Sequence, residues 1–338
     1  MTRALSVVLV LASGQALAGS TVAPAPQGRS SPRILVFTKT AGFRHSSIPV
    51  AVRAVRDLAA RSGLVVDATE DSTAFSDAGL ARYDAVVFLL TTGDVLNDDQ
   101  QNALQRFIRR GGGFVGVHSA ADTEYDWPWY GGLLGAYLRS HPHVQPSSID
   151  VEDARHPSTV GLPRRWTRTD EWYNFARSPR RAVRVLATLD ETSYSPGSGA
   201  MGADHPIAWS HRYQGGRAWY TGGGYTEESY AEPLFRKHLL GGIRYTAGLT
   251  PPRIVSVSST LRNRRLVVSI RYASCRPCAG QLQVRLRGRL SRTRISLGAA
   301  GGRVTGPKLP RGRRRFSVVL EDRPTGLKDA VSRWVRVR

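Results

Sequence analysis

Residues 111–131 read GGGFVGVHSAADTEYDWPWYG. The apolar run 112–118 passes straight into His118 and Ser119, and Asp122, Glu124, Asp126, Trp127 and Trp129 crowd in behind. A run that is apolar on both faces reads as a strand buried between two layers, as in a parallel sheet covered by helices. In such sheets ligands bind beyond the carboxyl ends of the strands, and the His-Ser pair falls there.

The flanking sequence supports that reading. RILVFT (33–38), LVVDAT (64–69) and YDAVVFLL (83–90) are further apolar runs. Between the first two, SIPVAVRAVRDLAAR (47–61) places Val52, Val55, Leu58 and Ala59 on one helical face. LNDDQQNALQRFIRRGGG (96–113) has an acidic start, a Leu104/Phe107/Ile108 face and basic residues before its glycines, the polarity of a helix. Strands are expected at 183–189, 205–213 and 216–224, and a closing helix at 232–248. LTPP (249–252) marks a boundary. Beyond it the period changes to two. RIVSV, RRLVVSIRY, QLQVRLRGRLSRTRISL and RRFSVVLED read as half-buried antiparallel strands. In QLQVRLRGRL, Leu282, Val284, Leu286 and Leu290 are expected on one face and Arg285, Arg287 and Arg289 on the other. Several such strands within 253–338 suggest a small immunoglobulin-like or fibronectin-like β-sandwich.

Length and composition agree with two globular domains: 338 residues, 41% hydrophobic. Arg3, the apolar stretch ALSVVLVLA and ALA at 16–18 have the form of a signal peptide (1–18), so the mature chain is expected to start near Gly19, outside the cytoplasm. The alternative is an uncleaved anchor. Residues 19–32, rich in Pro, Ser and Gly, read as a flexible leader. The net charge of +22 is not spread evenly. Thr250–Arg338 carries 22 Lys and Arg against 3 Asp and Glu, a balance of +19, which leaves about +3 for everything before it. Almost all of those cations are Arg, which fits either a compositional bias or docking to an anionic polymer or cell-envelope surface. The two cysteines, Cys275 and Cys278, form a CxxC pair with no second pair nearby to complete a zinc site; in an exported chain a local disulfide is expected.

His118 sits where a strand-end turn can expose a side chain, and imidazole there serves as base, acid or metal ligand, or simply bonds loop backbone. Ser119 offers a hydroxyl at the same elbow, without a G-x-S-x-G pattern. His45, His141 in SHPH, and Asp170-Glu171 in DEWYNF add ionisable groups beside aromatic ones. Charges beside Trp and Tyr are costly to bury unless paired, which favours a cleft. Trp127, Trp129, Tyr130, Trp172 and Tyr173 either stack on sugar rings or pack in the core.

FTKTAGFRHSSIP, the 111–142 stretch, DEWYNF and GRAWYTGGGYTEESYAEPLFRKHLLGGIRYTAG together resemble the trehalose-utilisation, or ThuA-like, family over about residues 33–248. The resemblance implies a flavodoxin-like fold related to class I glutamine amidotransferases and a link to sugar metabolism. Amidotransferases on this fold place a nucleophilic Cys at the elbow. Here His118-Ser119 stand there and both cysteines lie beyond residue 248, so thiol-based glutamine hydrolysis is excluded. The family pattern retains His45, His118, His141 and Glu171. Where many members read Gly-His-Thr near the end, this chain reads GYT, with Tyr225 in the place of that His.

The expectation is therefore an exported α/β domain that acts on a disaccharide or glycoside as a hydrolase or lyase, followed by a basic sandwich. The alternative is a non-catalytic sugar-binding protein. His118, Glu171 and Ser119 are the expected catalytic groups. His45, Asp122, Trp127, His141, Trp172 and Tyr225 are the expected substrate contacts. A divalent metal, if used, would take His118, His141 and Glu171. His118 is expected to face an open pocket that the other groups share.

Overall fold

The computed structural model describes residues 31–249, 253–273, 278–286, 289–297, 301–322 and 328–337. The signal peptide, nearly all of the leader, residues 250–252 of the boundary and the Cys275–Cys278 pairing lie outside the described residues.

The first domain begins with β1 (Arg33–Phe37), α1 (Ile48–Ala60), β2 (Val65–Thr69), α2 (Asp77–Leu80), β3 (Ala85–Leu89), α3 (Asp98–Arg109), β4 (Gly113–Val117) and α4 (Pro128–Leu134). It continues through β5 (Leu138–Ser140), β6 (Gln145–Val151), β7 (Arg165–Asp170), β8 (Asn174–Phe175), β9 (Arg184–Asp190), β10 (Pro206–Tyr213), β11 (Gly216–Thr221) and α5 (Pro233–Thr246). Nine strands form one sheet in the order β2-β1-β3-β4-β11-β10-β9-β6-β7. The first five are parallel. The other four run antiparallel to their neighbours, so the helix-covered parallel sheet expected from the sequence continues into an antiparallel half. β3 and β4 are buried at every position, because helices cover both sides. The side chains of β11 show the two layers: Trp219 meets α5 at Gly242, and the next residue, Tyr220, meets Gly116 and Leu134 on the α4 side.

The helices start and stop where local chemistry dictates. Asn97 caps α3 and Gln100 bonds back to the Asn97 amide, a complete capping box, with Asp98 and Asp99 in the first turn. α1, α4 and α5 each carry Pro at their first turn, where its missing N–H costs nothing.

The second domain holds β12 (Arg253–Arg262), β13 (Arg265–Ala273), β14 (Cys278–Leu286), β15 (Arg289–Leu297), β16 (Gly301–Lys308), β17 (Gly312–Asp322) and β18 (Lys328–Val337). They form an antiparallel sheet in the order β12-β13-β16-β15-β14-β17-β18. Its edge strands β12 and β18 approach each other, so the sheet is partly closed around its own core, consistent with a β-sandwich. That core, including Leu266, Val268, Leu282, Val284, Phe316 and Val318, is separate from the core of the first domain. QLQVRLRGRL is not one strand. Leu286 pairs with Arg289 across a hairpin, and the reversal turns Leu290 outwards, 43% exposed, against the sequence expectation. Among the described residues no helix is long and apolar enough to cross a membrane.

Candidate active site

β4 ends at Val117, and His118 turns the chain with φ at 50°, a left-handed conformation unusual for a residue with a side chain. β11 holds it there. The Tyr220 hydroxyl donates to the His118 carbonyl at 2.8 Å, and His118 Nδ1 lies 2.9 Å from the Gly222 carbonyl. A carbonyl only accepts, so Nδ1 carries a proton and, in the neutral ring, Nε2 presents its lone pair. Nε2 lies 3.3 Å from Glu171 Oε2, off the line of a hydrogen bond, and is left without a hydrogen-bond partner. The other oxygen of Glu171 lies 3.0 Å from His141 Nδ1. Tyr173 lies over the His118 ring with centroids 4.1 Å apart.

His45, from the loop after β1, and Tyr225, from the loop after β11, close the group. Their rings stand 5.2 and 5.6 Å from that of His118 and 5.4 Å from each other. Burial, then the neighbouring His118 and His141, push the pKa of His45 down to about 3, so its ring is neutral across the physiological range. His45 Nδ1 is buried with no hydrogen-bond partner. Buried polar atoms are ordinarily satisfied. Two unsatisfied imidazole nitrogens on adjacent rings therefore suit a site that receives a polar group.

The structure brings together five of the expected residues, His45, His118, His141, Glu171 and Tyr225, from five separate segments. It treats the others differently. His118 does not face an open pocket. Its side chain has no exposed surface, but it is enclosed by polar and aromatic groups; His141, with 44% of its side chain exposed, stands on the solvent side of Glu171. Ser119 is buried and its hydroxyl has no partner, so no base is positioned to activate it as a nucleophile. Asp122 accepts from the Tyr125 hydroxyl at 2.8 Å. Trp127 is buried and stacks on Trp129 and Tyr130. Trp172 is fully buried, with its indole N–H on the Gln145 carbonyl. Both tryptophans are core residues rather than sugar platforms.

For the expected metal set, His118 Nε2 and His141 Nδ1 lie 3.3 and 3.0 Å from opposite oxygens of Glu171, while among the described residues no group of three or more His, Cys, Asp or Glu is gathered as a metal cluster.

Arg168 and Phe43 were not read from the sequence, and Asp170 was read only as an ionisable group beside aromatic ones. Asp170, fully buried, accepts from the Gly224 amide at 2.7 Å, the Tyr225 amide at 3.0 Å and the Ser229 hydroxyl at 3.2 Å. It thereby fixes the loop whose Gly222 carbonyl orients His118; Gly224 in that loop has φ at 115°. Arg168, with 4% of its side chain exposed, neutralises Asp170 at 2.5 Å and also bonds Glu232 and Ser229. Phe43 is 62% exposed and packs edge-on against His45 at 4.9 Å, an apolar lip. The position of Phe43 in the loop after the first strand was the available signal. Glu124, by contrast, belongs to the scaffold: it accepts from the Val95 and Leu96 amides and the Gln101 side chain.

Comparison with known proteins places this geometry. A family model described as ThuA, trehalose utilisation, matches residues 33–246. A ThuA-like protein from Bacteroides uniformis is similar in structure, with 22% identity, a TM-score of 0.56, and coverage of 66% of this chain and 95% of the other. A ThuA-like protein from Parabacteroides merdae has 19% identity and a TM-score of 0.54, covering 64% and 90% respectively. Curated proteins give no match. The family match spans well over half of the chain and takes in every residue of the site, so the chain belongs to the ThuA, trehalose-utilisation, family.

Proposed function

We propose that the first domain is a carbohydrate-active enzyme, a hydrolase or lyase that breaks a bond of a disaccharide or glycoside. His118 Nε2 takes the proton, Glu171 is its partner carboxylate, and His141 connects that carboxylate to solvent. His45, held neutral, and Tyr225 line the space where the sugar would be held. One observation carries the reading. The lone pair of a fully buried imidazole, fixed by a donated Nδ1–H, points beside a carboxylate with no hydrogen bond of its own. A hydroxyl or C–H acid of a substrate would complete it. Family membership supports the sugar as substrate class. The binding-only alternative is less well supported, because Trp127 and Trp172 are spent in the core. We further read the chain as exported, and the second domain as an immunoglobulin-like module that docks the enzyme to an anionic surface.

The test is turnover of a panel of disaccharides and their keto forms by the purified full chain, beside His118→Asn and Glu171→Gln. Bond cleavage by the native chain, reduced roughly 10²- to 10⁴-fold in both variants, is the expected result. Calorimetric binding of a sugar without cleavage would replace the enzyme with the binding protein.

A further inference from the structure

The alternation that buries Leu282, Val284, Phe316 and Val318 turns the intervening side chains of the second domain outwards. Cross-strand register makes one face of them over β15, β14, β17 and β18. Arg292 stands opposite Gln283, which stands opposite Ser317, which stands opposite Ser332; Arg294, two residues along β15, stands opposite Gln281. Two residues along, Arg315 stands opposite Trp334, and next to them Arg313 opposite Arg336. At a spacing of about 4.8 Å between strands the face is roughly 14 Å wide. Trp334 is 56% exposed, and the guanidinium of Arg313 lies 4.7 Å over its ring. The carboxylate on this register of β17 is Glu321, at the far end of the strand from Arg313 and itself partnered.

We propose that this face binds a strand of acidic polysaccharide, a polymer of sugar rings that bear carboxylates. Guanidinium groups match carboxylates as two-pronged donors and attract them across the whole face. Trp334 offers one ring for a sugar to stack on. Between the two groups of arginines lies a row of amide and hydroxyl side chains, Gln283, Ser317 and Ser332, suited to sugar hydroxyls. A nucleic acid fits less well. Single strands are held by successive stacked bases, and this face presents one exposed tryptophan; a duplex is read by an element inserted into a groove, and this surface is the broad side of a sheet. The choice of a sugar polymer leans on the proposed sugar chemistry of the first domain, but the surface is independent of the catalytic groups.

The experiment is retention of the intact protein on immobilised polygalacturonate, with neutral dextran and single-stranded DNA alongside. Binding to polygalacturonate at about 50 mM salt, weakened at least tenfold at about 500 mM, is expected, with none to dextran. The pairs Arg313→Glu/Arg315→Glu and Arg292→Glu/Arg294→Glu, on separate strands, each weaken binding roughly tenfold or more. Trp334→Ala weakens it at both salt concentrations, since stacking is not screened. Unchanged melting curves show that the variants are folded. Glu171→Gln binds as the native protein does, so a failure of the catalytic reading leaves this result intact. Native-like binding by the folded charge variants overturns the proposal, as does absence of binding to polygalacturonate, or DNA displacing it at equal charge.

Discussion

His118 pays an energetic penalty for its position. A left-handed residue with a side chain costs about 1–2 kcal/mol, and the Tyr220 hydroxyl and Gly222 carbonyl hold it against that cost. Asn tolerates this backbone region better than Ala does. His118→Asn is therefore expected to show the roughly 10²- to 10⁴-fold loss of turnover while being about 0.5–1 kcal/mol more stable than His118→Ala in chemical denaturation; equal stability of the two would show that the backbone is not strained. Asp170 makes the opposite case, a residue that never touches the reacting groups. Replacing it with Ala removes one of the two carboxylates paired with buried Arg168, leaving Glu232, and frees the Gly224 and Tyr225 amides. A loss of about 3–5 kcal/mol is expected, the usual cost of removing one partner of a buried ion pair. A loss below about 1 kcal/mol would mean that water replaces the carboxylate.

Single elements explain which parts of the fold were legible. β3 and β4 are apolar throughout and fully buried, and β1 is apolar and buried after Arg33, so their sequence announces them. α3 announces itself by its acidic start, its Leu104/Phe107/Ile108 face and its basic end. β7, RWTRTD, was missed although it alternates strictly between exposed and buried positions. Its inward residues are Trp166, Arg168 and Asp170, and an inward-facing ion pair disguises a strand as a polar loop. β7 was hidden for that reason, and the clamp made by Asp170 with it, whereas β9 and β10 of the same antiparallel half were legible as strands. His118, Glu171, His45, His141 and Tyr225 were legible as residues, because chemistry-bearing side chains at strand ends are informative. The role of the aromatic residues was not, since Trp127 and Trp172 look the same in a core as in a cleft. Packing also reverses one propensity rule. Gly242 lies within α5, where Ala would favour the helix, but a Cβ there would stand 2.3 Å from the Trp219 ring. Gly242→Ala is expected to destabilise by about 1–3 kcal/mol, the cost of overpacking; an increase in melting temperature would show that α5 can shift away from β11.

At the scale of the whole molecule, buried histidines set the response to acid. Burial pushes the pKa of His45 and His156 down to about 3 and that of His238 down to about 4, and it also lowers His211. Each takes up a proton near its ordinary value of 6.5 only after unfolding. Between those folded values and 6.5 the unfolded chain binds more protons, so stability is fully present above about 6.5 and is lost as the pH falls, at up to about 1.4 kcal/mol per unit for each group. Glu124, raised by burial, acts in the opposite direction but is one group against four. The melting temperature should fall steadily from pH 7 to pH 4; a flat profile between 6.5 and 5 would contradict the burial of these rings. The sheet order has a kinetic consequence as well. β7 lies five strands away from β4, yet Glu171, which follows it directly, touches His118. The sheet must curl back before the carboxylate arrives, whereas the parallel strands and their helices can assemble without it. Contacts between distant parts of a chain form slowly. In refolding from denaturant, the helical signal should therefore return before the proposed activity does, and that activity becomes a clock for the last step of assembly rather than the first.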